Sequence, residues 1–455
     1  MTAPDPAPAR LVRDRTTLTL YGPFVVWGWL LYSFNPSVPL LADELGITSA
    51  QAGLHGTAMA AGGLTAAVLT PRTVRALGRR ATIVVSALVV ALGIGALVTG
   101  PALPWTLAGM LLTSVGGNVL ISAAQVGLAL QHGRAASAAV TEANGVGAAV
   151  GLLGPLAVGA AVTAGIGWRA GVVVTAVLAV VSALLVARLP TGPALTGRPA
   201  RRIPQAVVAG AASAVAPAVA DPTPTDAPVA ATVAVAPAGR VRRATPWLLL
   251  ALLAALALEN ATTYWATGLV VERTGADPGI GAATTAGLVA GMAAMRFVVG
   301  PLSLRVPPAR LLAGSFILAV VGWAVLWTAT TPGVALAGLV VAGLGYGAQY
   351  PLAVVLLLAA SPGRSDRAQA QATLTGALAI GVAPFVLGAL ADAVGTHTAF
   401  LVVPALAALG LVGAVVGGSA VRATARRLEG SDPWPDPTSD PSPGPTTPAS
   451  PTTSA

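Results

Sequence analysis

The stretch "ATIVVSALVVALGIGALVTGPALPWTLAGMLLTSVGGNVLISAAQVGLALQHG", residues 81–133, decides the fold: its 53 residues contain no Asp, Glu, Lys or Arg. The hydrocarbon core of a bilayer takes about 20 apolar residues to cross. The run is therefore long enough to cross twice, in spans near 81–100 and 104–129. A second charge-free run of the same length covers 311–363. Two further gaps, Arg15 to Asp43 and Glu44 to Arg72, each hold 27 uncharged residues. Whole-chain composition agrees, with 55% hydrophobic and 9% charged residues, against roughly a quarter charged in soluble domains. The chain is a polytopic membrane protein.

Twelve spans can be placed: near 20–41, 50–71, 81–100, 104–129, 137–163 and 168–187, then near 247–269, 280–302, 311–329, 334–359, 369–391 and 397–418. Backbone polar groups in lipid must be satisfied within the chain, so these spans are helices and the fold class is all-α. The domain boundaries follow as an N-terminal segment 1–19, a six-helix half 20–189, a flexible linker 190–245, a second six-helix half 246–418 and a disordered tail 419–455. The stretch "QAVVAGAASAVAPAVA" in the linker is short and interrupted by Pro217, and is not counted as a span. The tail is rich in Pro, Ser and Thr and lacks the apolar residues of a core.

The net charge of +9 comes wholly from arginine. With the N-terminus inside, 22 of the 25 arginines fall on the inner side, only Arg169 and Arg273 fall outside, and Arg296 lies within a span. This asymmetry puts both termini in the cytoplasm. It also accounts for the basic charge without nucleic acid. There is no cysteine, and His55, His132 and His397 are too scattered for a metal site. No phosphate-cradling motif appears, so neither a metal nor a nucleotide cofactor is expected. An intramembrane enzyme would need H-E-x-x-H, paired aspartates or a histidine beside a nucleophile, and none is present.

The halves repeat in parallel. "GPLAVGAAVTAGIGWRAGVVV" (154–174) aligns with "APFVLGALADAVGTHTAFLVV" (383–403), so that Pro155 meets Pro384 and Gly159 meets Gly388. Arg75 and Arg80 meet Arg305 and Arg310. Parallel six-span repeats around a central cavity are a transporter design.

The loop "TPRTVRALGRR" (70–80) resembles the cytoplasmic motif between spans 2 and 3 of the major facilitator superfamily. Gly78, Arg79 and Arg80 match it, whereas Pro71 stands for the first glycine and Arg75 for the aspartate. "GLLGPLAVG" (151–159) is similar to the span-5 motif of proton-coupled exporters. "GLGYGAQYPLAV" (343–354) is similar to span 10 of sugar permeases of the fucose permease group. The resemblance covers roughly residues 15–420. It implies alternating access, with spans 1, 4, 7 and 10 lining the cavity. The expected partners are a small-molecule substrate, protons and the lipid bilayer, and the chain is expected to act as a monomer. Two directions stay open: proton antiport of a drug-like or secondary metabolite, and proton symport of a sugar. A non-transporting sensor is the remote alternative. The arginine- and alanine-rich composition suggests a high-GC bacterium and hence its inner membrane.

Polar residues recur on those four spans. Span 4 carries Ser114, Asn118, Ser122 and Gln125 on one helical face. Span 7 carries Glu259, Thr262 and Thr263. Span 10 carries Tyr346, Gln349 and Tyr350. Span 1 carries Tyr32 and Asn35 before Pro36. Read singly, such residues are packing glue; read together, they are a hydrated substrate path. Glu259 lies about 12 residues into span 7, or ~18 Å along its axis. An ionisable group at that depth is costly unless used. It is a candidate for binding substrate or the coupling proton, the alternative being a structural hydrogen bond.

Glu142 and Arg296 lie at matching depths of ~8–9 Å from the cytoplasmic ends of spans 5 and 8. The resemblance sets those spans side by side, so a Glu142–Arg296 ion pair is the expected cytoplasmic gate, with Glu142 a second candidate in proton coupling. The rival is that each side chain snorkels alone. His55 and Asp392 sit at the outer ends of spans 2 and 11, either facing water or forming a pH-sensitive contact. Trp105, Trp168 and Trp247 sit at span ends as interface anchors.

Overall fold

The computed structural model describes residues 11–190, 192, 195–196, 238–303, 305–361 and 365–429. Twelve helices long and apolar enough to cross a membrane run in order: α1 Arg15–Leu45, α2 Ser49–Leu77, α3 Arg79–Thr99, α4 Leu103–His132, α5 Ala138–Thr163, α6 Trp168–Ala187, α7 Ala244–Thr274, α8 Pro278–Ser303, α9 Pro308–Thr328, α10 Pro332–Ala359, α11 Ala368–Val394 and α12 Thr396–Arg422. An even number of crossings returns the chain to the end where it started. We call that the terminal end and the opposite one the far end.

Local chemistry sets the helix starts. Asp14 caps α1, accepting from the Thr17 amide at 2.7 Å. Thr48 and Gln51 form a reciprocal capping box at α2. Proline occupies the first turn of α4, α8, α9 and α10, where a missing N–H costs nothing. In α1 the sequence Asn35–Pro36–Ser37 tightens into a 3-10 turn.

The internal repeat is carried into packing almost residue for residue. A methyl group added at Gly93 of α3 would strike Thr113 of α4; one at Gly322 of α9 would strike Ala342 of α10. Gly109 faces the Leu97 amide, and Gly338 faces the Leu326 amide. Gly116 faces the Ser86 carbonyl, and Gly345 the Ser315 carbonyl. Every one of these pairs of positions is related by the same offset of 229. In lipid, helices associate through such close backbone approach rather than through hydrophobic burial.

Three expectations change. The start of the linker is docked, because Arg79 donates to the Thr196 carbonyl at 3.1 Å. The Arg80 amide donates to the Leu195 carbonyl at 3.2 Å, and its guanidinium meets the Ala187 carbonyl. Leu189 and Leu195 are buried there. The linker's last residues, from Ala238, and the tail's first, to Glu429, are helical rather than flexible or disordered, while the rest of the linker through 237 and the tail from 430 lie outside the described residues. Trp168 is also not an exposed anchor: it is buried and donates to Glu44 at 2.6 Å. Trp105 and Trp247 do face outward.

Asp14 ties α1 to α4. It also accepts from the Thr17 hydroxyl at 2.6 Å and from Gln131 at 2.8 Å, while Thr17 contacts His132 at 2.7 Å. Burial works to raise the Asp14 carboxyl, but the hydrogen bonds from Thr17 and Gln131 outweigh it and hold the group below the usual carboxylate range. The stability it contributes is therefore present above the unfolded value of about 3.9 and is lost as pH falls through the lower folded value. Asp14→Ala is expected to cost about 0.5–2 kcal/mol near neutral pH. A drop in apparent melting temperature of the purified chain would register it; an unchanged one at neutral pH would show that the cap is dispensable.

Candidate functional site

The polar residues of four helices meet at mid-depth. From α1 come Tyr32 and Asn35, both buried. From α7 come Glu259, Thr262 and Thr263, equally buried, with Glu259 only 5% exposed. Helix α8 brings Arg296, which lies within electrostatic reach of both the Tyr32 hydroxyl and the Glu259 carboxyl. Tyr346 of α10 shares a 3.0 Å hydrogen bond with Thr262, and its ring lies within electrostatic reach of Glu259. The Asn35 amide donates to the Thr263 hydroxyl at 3.4 Å. Two of these contacts, Asn35 to Thr263 and Tyr32 to Arg296, join one six-helix half to the other.

The remaining candidates occupy buried faces of α4 and α10. Asn118 donates to the Ser114 carbonyl at 2.9 Å, and Ser114 in turn donates to the Met59 carbonyl of α2 at 2.6 Å. Gln349 donates to the Ser315 carbonyl of α9 at 3.4 Å. Gln125 and Tyr350 are buried on the same helices. Trp27 was not anticipated. It is buried in α1 with its ring against Gly117, beside Asn118. A tryptophan within a span rather than at its end was the available signal. Among the described residues no group of three His, Cys, Asp or Glu side chains could hold a metal ion.

The expected Glu142–Arg296 pair is not what the structure forms. Glu142 takes both oxygens to Arg13, at 2.7 Å from Nε and 2.7 Å from a terminal nitrogen. The bond and the charge of Glu142 hold the Arg13 guanidinium above its ordinary value. The physical reason is where the helices approach. Helices α5 and α8 come together at the far end, where Gly159 faces the Gly279 carbonyl and Thr163 faces Asp277. The terminal half of α5 lies instead along α1, with Gly147 on the Phe24 carbonyl. Arg296, assigned from sequence to a gate, belongs to the Tyr32–Glu259 cluster. Nothing in the spacing of Arg13 and Glu142, 129 residues apart, marks them as partners.

The far end is fastened across the halves a second time, between α2 and α11. Asp392 accepts from the Ser49 amide at 2.7 Å and the Ala50 amide at 2.8 Å. Its carboxylate thus sits on the positive end of α2. Gly388 faces the Ser49 carbonyl, the repeat counterpart of Gly159 on Gly279. His55 does not reach Asp392. It is fully buried between the Ala52 carbonyl at 2.8 Å and Thr106 at 3.0 Å, so neither sequence reading of the pair holds.

A family model described as Major Facilitator Superfamily matches residues 24–281 and 248–450. Among curated protein sequences none matches. Solved structures with the same fold include the transporter FucP in the outward conformation, at 18% identity over 88% of this chain and 98% of that one, with TM-score 0.52. A bacterial homolog of the human lysosomal transporter Spinster, inward-facing and unoccupied, matches at 15% identity over 91% and 98%, with TM-score 0.66. The inward-open xylose transporter XylE of E. coli matches at 14% identity over 88% and 94%, with TM-score 0.65.

The chain has no cysteine, so nitroxide labels at Ile166→Cys and Ile280→Cys would report far-end separation alone. Asp392→Ala removes the carboxylate from α2 and is expected to weaken closure by about 1 kcal/mol, raising the separated population roughly fivefold. Pulsed electron resonance distances would measure this, and unchanged distributions would mean the glycine contacts suffice.

Proposed function

This chain belongs to the Major Facilitator Superfamily, and on that premise we propose that it moves a small organic solute by alternating access, with Glu259 binding the coupling proton. The observation that carries the reading is the cluster of Tyr32, Glu259 and Arg296 at the seam between the halves. A lone carboxylate or guanidinium within the hydrocarbon costs up to about 2.5–3.5 kcal/mol on the insertion scale, the figure for the helix centre. Within electrostatic reach of each other, their opposite charges lower that cost.

Protonation gives the cluster two states. With Glu259 ionised, Arg296 is drawn toward α7 within its own half. With Glu259 neutral, that attraction is gone and Arg296 is released toward Tyr32 of the other half. A proton thereby changes how strongly the halves hold each other at the centre, which is what coupling requires. In this reading the fastened far end closes that side, which leaves the terminal end as the side from which the solute reaches the seam once it loosens. The arginine asymmetry makes that end cytoplasmic, and the bacterial inner membrane is the corresponding location, with a single chain as the working unit. Glu142, bound by Arg13 away from the seam, serves to hold the N-terminal segment on α5 and is not part of the proton step.

The same far-end labels test both parts. In proteoliposomes the parent chain is expected to give two distance populations that shift as the pH is lowered. Glu259→Gln, which mimics the protonated carboxyl, is expected to give one ratio at every pH. A single fixed distance in the parent would overturn alternating access. Two populations with an unaltered pH response in Glu259→Gln would overturn the proton role.

A further inference from the structure

We infer that the protein holds a zwitterionic glycerophospholipid at its terminal end, in a groove between α5 and α6 that is floored by α1. The groove follows from how the three helices meet. At the far end α5 and α6 are in close contact, with Gly171 on Val158. Toward the terminal end both lean on α1 instead. Gly147 of α5 faces the Phe24 carbonyl, and Gly22 of α1 faces Ser182 of α6. The space left between α5 and α6 measures about 360 Å³, within the roughly 300–1,000 Å³ of ligand pockets. Leu18, Val181 and Leu185 on its rim are each about half exposed. They are apolar residues of spanning helices, so the groove opens to lipid.

The lining is graded as a lipid is. Measured along their helices from the terminal end, Tyr21, Glu142 and Ser182 lie ~6–9 Å deep, and Val25, Val146 and Leu178 lie ~12–15 Å deep. The polar interface takes up about 5–8 Å on each side of a bilayer. The polar lining therefore sits at its inner edge, where a lipid carries its esters, and the apolar lining sits where the acyl chain begins. The Tyr21 hydroxyl lies beside the Glu142 carboxylate. The Ser182 hydroxyl has no hydrogen-bond partner. A buried hydroxyl in that condition calls for an occupant, and an ester carbonyl, which only accepts, supplies what it lacks.

The mouth of the groove carries one charge of each sign. Arg13 gives Nε and one terminal nitrogen to Glu142, which leaves about three of its five N–H groups for another acceptor. Neither side chain is closed off, Arg13 being 59% exposed and Glu142 27%. A phosphate fits the free edge of the Arg13 guanidinium, and an ammonium fits the open side of Glu142. A headgroup bearing both charges matches the pair and leaves no charge in excess. A headgroup that is only anionic sets its phosphate beside Glu142 with nothing to offset the repulsion.

The test titrates the purified full chain with phosphatidylethanolamine, phosphatidylcholine or phosphatidylglycerol of one acyl composition, and native mass spectrometry counts the bound lipid. The two zwitterionic lipids are expected to bind about tenfold more tightly than phosphatidylglycerol, the worth of one charge-assisted hydrogen bond. Glu142→Gln is expected to erase that preference, because Arg13 alone takes any phosphate. Val146→Trp, which fills the groove, is expected to weaken all three lipids by about tenfold. A phosphatidylethanolamine with a diazirine on its acyl chain is expected to label the parent chain around Val25, Val146 and Leu178 well above exposed apolar positions elsewhere, such as Leu92 and Val412. That mapping needs no variant and stands even if one folds poorly. Equal binding of the three headgroups by the parent would overturn the inference, as would a preference that survives in Glu142→Gln. Adducts spread evenly over the lipid-facing helices would overturn it too.

Discussion

A buried polar group in lipid has no water to fall back on, and this constraint organises the molecule. It forces every crossing segment to be a helix. It lets helices associate through glycines that bring backbones together, as at Gly93 and Gly322 or Gly109 and Gly338. It also requires polar side chains within the spans to find one another or an occupant. Glu259, Arg296, Tyr32, Tyr346 and Thr262 find one another. Asn118, Gln125 and Gln349 keep an oxygen unspent.

The two halves are alike in scaffold and unlike at the centre. Packing of α3 on α4 repeats in α9 on α10, and the far-end contact of Gly159 repeats at Gly388. Repeated scaffold gives two bodies with the same internal packing. The charged pair, by contrast, comes wholly from the second half, and the first half answers it with the hydroxyl of Tyr32 and the amide of Asn35. The seam is therefore held by weak, exchangeable contacts at its middle. At the far end it is held by a stronger one, where Asp392 uses its full charge on the amides of α2.

The departures of the span 2–3 loop from the family motif also acquire a physical setting. Arg75 stands where a carboxylate would be, and the neighbouring Arg79 and Arg80 turn to the carbonyls of the linker's first residues. A carboxylate that does sit on a helix N-terminus across the halves is Asp392, at the far end.

The sequence by itself determined the class of fold, the number of crossings, the parallel repeat and the helices that carry polar residues. These depend on composition and period: charge-free length measures a bilayer, and spacing of three and four marks one helical face. It also singled out Glu259, because a carboxylate inside an apolar run is conspicuous without knowing its neighbours. What it could not decide is partnership. Arg296 has the depth to meet Glu142, yet lies within electrostatic reach of Glu259 and Tyr32. Glu142 is met by Arg13, and Asp392 by backbone amides rather than by His55. Matching depth fixes one coordinate of a side chain. Its partner depends on how far two helices tilt apart between their ends, and α5 and α8, close at the far end, leave Arg296 to the central seam. That tilt is set by the summed packing of all twelve helices, and only the tertiary structure contains it.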